Sequence, residues 1–330
     1  MKMEQELSLH SKSQIWAKVY GKSRTTAYLK EMILQQETDE TIQSGLEFLQ
    51  MNGYEWEFSQ LYEEFMNSGE PMKEAWVRLY ELQLLLGSRN SPYSAIREEL
   101  ETMEWFSAEQ RCYGQFLLAR VHYAMQSLHV IDVYNELVRQ LDLLPISLLK
   151  GFLQLKKDRI QLHYHWKRNE LIFARKIAYR SLRESTSTVH NSEVHMTLAL
   201  TYLYESFEQS TYHLNEASSL VQQYKLRSLQ SVLTKRVIPF VMAYNGRTNG
   251  ITTTDVAERA HLLLAKGENE EALALLETIQ DPTPLEHYYI GKAKGDIEIL
   301  GQAYGRFIHE QSDHFYAKLP LYELNRLSNL

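Results

Sequence analysis

The chain is short of glycine and proline, with 14 and 7 among 330 residues, about half the usual share. All-β sandwiches and phosphate-cradling α/β folds need glycine at many turns, so this shortage argues against both. Cysteine is nearly absent. The single Cys112 excludes a disulfide framework and a cysteine-based metal site, and it fits a reducing compartment. No stretch reaches the ~18 uncharged apolar residues of a membrane span; the best one, 232–244, contains Lys235 and Arg236. Residues 1–13 have no apolar segment of a secretion signal. There is no surplus of positive charge either: the formal net charge of −7 argues against a generic nucleic-acid binder. Together these absences predict a soluble, cytoplasmic, helix-rich protein.

What the sequence does contain is helical periodicity. Ala75, Leu79, Leu82 and Leu86 fall on one helical stripe, and Ala272, Leu275, Leu276 and Ile279 form another. Ser91-Pro92 reads as a cap followed by proline at the first helical position. Ser107 with Gln110, and Thr283 with Glu286, read as capping boxes. Gly53, Gly69, Gly87, Gly246 and Gly267 read as stops. No Asn-Gly or Asp-Gly lies between two alternating runs, so Asn52-Gly53 and Asn249-Gly250 are read as helix connections.

The helices come in pairs. In Ala260–Ala272 small residues allow a close crossing, Gly267 ends one helix and Ala272 seats the next, as in a tetratricopeptide pair. Weaker echoes lie around 116–141, 156–182, 198–221 and 289–307. The expected fold is all-α, a right-handed superhelix of degenerate tetratricopeptide-like helix pairs with a concave face that binds peptides or proteins. An irregular helical domain without a groove is the plainer alternative.

Charge is uneven. Residues 31–109 carry 17 acids against 4 Lys/Arg, whereas 150–183 carry 10 Lys/Arg against 2 acids. The basic stretch reads either as an anion-binding surface or as a face that complements the acidic half.

Catalytic signatures are missing: there is no G-x-S-x-G, P-loop, H-E-x-x-H or G-x-G-x-x-G. His163 and His165 stand two apart and point away from each other on a helix, which makes a poor metal pair. Cys112 reads as a buried structural thiol. No enzyme activity, metal or cofactor is expected. Ala17–Ala27 has the spacing of a helix-turn-helix, with Arg24 and Thr25 placed to touch DNA. The same string also suits an ordinary first helix pair.

Near the C-terminus, Glu286-His287-Tyr288-Tyr289 is followed by the run Ser312 to Leu324, with Asp313, Phe315 and Leu319-Pro320-Leu321. This run resembles the end of the arbitrium receptors, the AimR family of Bacillus phages. Asp255 to His261 and Ser44 to Phe48 are similar to upstream family segments. The resemblance implies a helical-repeat receptor related to Rap, PlcR and PrgX. Such receptors bind a short secreted peptide in the host cytoplasm and control lysis against lysogeny.

For the ligand the resemblance implies an arginine-containing peptide with a free carboxylate. Asp313 falls on the family's ligand-binding aspartate and Phe315 on a nearby aromatic. Glu258 matches a polar groove position, or else closes a capping box with Asp255. Weaker alignment adds Asn169, Asn191 and Tyr202. Asn191 stands for a family arginine and Tyr202 for a family asparagine, so the cognate peptide is expected to differ. Tyr288 is expected to pack on the peptide or in the core.

Residues 1–36 are expected to be short helices, a truncated or absent DNA-binding module, and 37–330 the peptide-binding superhelix with a C-terminal capping helix. On that reading the receptor acts through a protein partner, direct DNA contact is doubtful, and the chain is a monomer or weak dimer. Leu321, Leu324 and Leu327 form the capping stripe. A peptide-controlled DNA-binding regulator and a Rap-like protein antagonist remain as alternatives.

Overall fold

A computed structural model describes residues 7–87, 91–127 and 129–328, with the side chain of Lys22 excepted. Every regular element among them is a helix, and none is long and apolar enough to cross a membrane. The helices fall into two compact units, Met1–Ile160 with Ser185–Thr188, and Gln161–Glu184 with Val189–Leu330.

The first unit holds α1 (Leu9–Tyr20), α2 (Lys22–Gln35), α3 (Asp39–Met51), α4 (Glu55–Met66), α5 (Pro71–Leu85), α6 (Tyr93–Thr102), α7 (Ala108–Ala124), α8 (Val130–Leu143) and the start of α9 (Leu148–Lys167). The expected boundary at 36/37 lies inside this unit, between α2 and α3. Its core centres on Trp76, Tyr80, Tyr113 and Phe116, all buried, with the Trp76 ring edge-on to Tyr113 at 5.4 Å. Each such side chain contributes roughly 1.5–3 kcal/mol by leaving water. Cys112 lies in this core, and burial pushes its thiol up to about 12, as expected of a structural cysteine.

The second unit holds the rest of α9, then α10 (Leu171–Glu184), α11 (Thr188–Thr201) apart from its first residue, α12 (Phe207–Gln223) and α13 (Arg227–Val232). A π-helical turn (Leu233–Val237) follows, then α14 (Ile238–Tyr244), α15 (Val256–Lys266), α16 (Asn269–Leu276), α17 (Pro284–Lys294), α18 (Ile297–Gln311) and α19 (Lys318–Ser328). Of the expected pairs, α15–α16 and α17–α18 pack closely here, and α7–α8 does so in the first unit. Gly267 ends α15 at φ +85°, and buried Ala272 seats α16. In α17, a Cβ at Gly291 would lie 3.0 Å from Leu300 Cγ of α18, so glycine is what lets these helices approach.

Three local details differ from the sequence reading. α6 begins at Tyr93, so Pro92 and not Ser91 holds the cap position; the Ser91 hydroxyl instead donates to Leu85 O. Ser107 does cap α7, but the Gln110 side chain accepts from Phe106 N–H rather than from Ser107. Leu324 and Leu327 pack on the second core whereas Leu321 is exposed. The Thr283–Glu286 box forms with both arms.

Candidate functional site

All seven residues expected to meet a peptide lie in the second unit. They fall into two groups.

The first group surrounds the turn between α18 and α19. Ser312 adopts φ +47° and swings the chain out of α18, after which Asp313 N–H donates to Phe307 O. Asp313 is buried, and its Oδ1 accepts from Tyr316 N–H at 2.9 Å. Burial raises its pKa, and the Tyr316 amide and the Lys167 ammonium pull it back. Lys167, at the end of α9, donates to Gln311 O at 3.3 Å. Phe315 N–H donates to Lys167 O at 3.0 Å, and Lys318 Nζ donates to Asn169 Oδ1 at 2.8 Å. Asn169 sits at φ +61°, a conformation asparagine tolerates better than most residues. The end of α9 and the α18–α19 turn are therefore stitched together by bonds spanning more than 140 residues of sequence.

Phe315 is fully buried, its ring 4.7 Å from Tyr204 and 5.6 Å from Trp166. It is a core residue that anchors this turn. Tyr288 is likewise buried, and burial pushes its phenol far above the usual range.

Glu258 belongs to the same neighbourhood. Asp255 Oδ1 caps α15 by accepting Glu258 N–H, so only one half of the expected capping box forms. The Glu258 carboxylate does not return to the cap. It accepts from Tyr289 OH at 3.4 Å and meets His261 Nδ1 at 3.4 Å. The His261 and Tyr289 rings stack at 4.6 Å. Burial, with Asp255 adding to it, pushes Glu258 up to about 8, and burial with Lys292 pulls His261 down to about 3. Burial thus favours the uncharged form of both groups.

The second group lies at α10, α11 and α12. The Arg175 guanidinium sits 3.7 Å over the Tyr202 ring, pairs with Glu205 at 2.6 Å and donates to Thr201 O. Tyr202 OH shares a hydrogen bond with Tyr179 OH at 3.1 Å. Tyr179 OH in turn meets His213 Nε2 at 3.0 Å, and His213 meets His195 at 3.0 Å. Asn191 Oδ1 is buried and has no hydrogen-bond partner among the described residues.

Several of these participants are not marked in the sequence. Arg175, Tyr179, Lys167 and Lys318 look like ordinary surface residues there, and only the fold shows what each one reaches. The basic stretch is largely accounted for by internal partners: Lys150 bonds the Asp142 and Leu144 carbonyls, Lys156 pairs with Glu47, Lys157 with Asp158, and Arg168 with Glu170. Among the described residues no group of three or more His, Cys, Asp or Glu is placed to hold a metal ion. At the N-terminal pair, Arg24 is exposed, whereas Thr25 is buried with its hydroxyl donating to Gly21 O.

No curated protein sequence matches this chain. Among solved structures, it is similar to phAimR-Ligand, with a TM-score of 0.81 at 18% identity over 95% of this chain and 96% of that one. It is also similar to selenomethionine phAimR, with a TM-score of 0.62 at 17% identity over 95% of this chain and 84% of that one. These likenesses establish the all-helical fold. A family model described as AimR transcriptional regulator-like matches residues 25–326. Since that match spans nearly the whole chain, the chain belongs to the AimR transcriptional regulator-like family.

Proposed function

We propose that this protein is a receptor for a short secreted peptide of the arbitrium type, and that peptide binding controls transcription in the lysis–lysogeny choice of a phage. The observation that carries the proposal is Asp313: a buried carboxylate, raised in pKa by that burial, with the amides of the 312–317 turn and the Lys167 ammonium beside it. A guanidinium is the ligand group that best matches such an acid, since it offers two parallel N–H donors. Asn191 and Asn169 supply amide groups for the peptide backbone, and Tyr202 presents a ring beside Arg175. Glu258, Phe315 and Tyr288 then act from behind, as the packing that holds the turn. Family membership and the likeness to a structure named for its ligand support this reading.

Because Asp313 is buried, the ligand reaches it only when the turn at 312–317 moves. The test is calorimetry with synthetic arginine-containing hexapeptides on the native chain and on Asp313→Asn. Asparagine keeps an oxygen for Tyr316 N–H and removes only the charge. Loss of a buried charge partner costs ~3–5 kcal/mol, so affinity should fall at least a hundredfold. An unchanged dissociation constant removes Asp313 from the site.

A second reading, direct DNA contact, is favoured by the exposure of Arg24 on α2. A gel shift with the chain's own upstream DNA, compared with Arg24→Ala, decides it. Sequence-specific retardation lost in the variant supports DNA contact, and no retardation directs the search to a protein partner.

A further inference from the structure

A cleft of about 450 Å³ lies between α15, α16 and the segment leading into α15. That volume falls in the range of small-ligand sites, ~300–1,000 Å³. Its apolar surface comes from Ile251, Leu262, Leu263, Ala274 and Leu275. Two cations, Arg259 and Lys266, stand on α15 two helical turns apart; both are exposed and neither forms an ion pair with a described residue. Glu271 of α16 faces them across the cleft.

We propose that this cleft binds the C-terminal residue of a polypeptide that ends in an aliphatic side chain. Charge complementarity identifies the occupant. The Arg259 guanidinium presents the planar fork that a carboxylate takes bidentately, and Lys266 adds a second positive charge. The leucines receive the aliphatic side chain. The Glu271 carboxylate accepts an amide N–H, a group that a peptide carries next to its terminal carboxylate and a fatty acid lacks. The site is separate from the Asp313 turn and does not rest on the role given to Asp313.

The probes are acetyl-Gly-Gly-Leu as the free acid, the same peptide as its C-terminal amide, and octanoate. Each is titrated into the full chain, with the methyl signals of Leu262, Leu263 and Leu275 followed by NMR. The free acid should shift these methyls and bind at least tenfold more tightly than the amide. Arg259→Gln with Lys266→Gln should lose at least tenfold for the acid. Both positions are exposed, so that variant should keep the native circular dichroism spectrum. Equal binding of acid and amide overturns the proposal. So do octanoate binding as tightly as the peptide acid, shifts elsewhere in the chain, or no binding.

Discussion

Lys156 and Glu47 form an ion pair at 3.1 Å in the core of the first unit, and both side chains are shut off from solvent. Tyr80 OH donates to Glu47 at 2.8 Å, and the Lys156 ammonium also donates to Gln83 at 2.8 Å and to Tyr113 OH at 3.0 Å. Burial pulls the Lys156 ammonium down to about 8 despite the neighbouring carboxylate. Four helices, α3, α5, α7 and α9, thereby share one polar knot.

Removing one charge leaves the other buried alone. Lys156→Met should therefore destabilise the first unit by ~3–5 kcal/mol, and Glu47→Leu by a similar amount. The double replacement should recover most of this loss, because no orphan charge remains. Urea unfolding of the three variants measures it; a double variant as unstable as the sum of the singles contradicts the account.

Stability should respond to pH through Glu258. Its folded pKa is raised to about 8 by burial, against ~4.3 when unfolded. Between these values the folded state holds a proton that the unfolded state has released, so this group's contribution to stability falls as pH rises through the window. Glu258→Gln cannot release a proton and should flatten that decline. Urea midpoints at pH 5.5 and pH 8.5, in native chain and variant, are the measurement; parallel slopes would contradict it.

At Gly114 of α7 a Cβ would come 2.1 Å from the Trp105 ring. Gly114→Ala should therefore cost ~1–3 kcal/mol by overpacking, although alanine is the better helix former. Trp105→Leu should suppress the penalty in the double variant, and thermal unfolding reads both.

Arg175 lies over Tyr202 while holding Glu205 and Thr201 O. Lysine keeps the charge but not the fork, so Arg175→Lys should cost ~0.5–1 kcal/mol and loosen the Tyr202 ring. If Tyr202 touches the peptide, the same variant should weaken binding. Calorimetry combined with ring NMR signals of Tyr202 tests both effects.

Local signals along the chain set the helices and many of their ends. Apolar spacing placed the Ala75–Leu86 stripe in the core, Thr283 and Glu286 declared their cap, and Gly267 declared its stop, because each of these signals acts within one or two helical turns. The run from Asp313 to Leu324 also carried the family resemblance. Tertiary structure alone decided what each face meets. Phe315 looked like a ligand contact and lies in the core, because Trp166 and Tyr204 close over it from distant helices. Glu258 satisfied the cap spacing, yet its carboxylate turned to Tyr289 and His261 on the inner side of α15. The basic run looked like one surface and dispersed to separate partners, with Lys156 drawn inward to Glu47. Periodicity tells which side of a helix avoids water. It carries no information about which side chain, a hundred residues away, will cover that side, and that choice belongs to the packing of the whole unit.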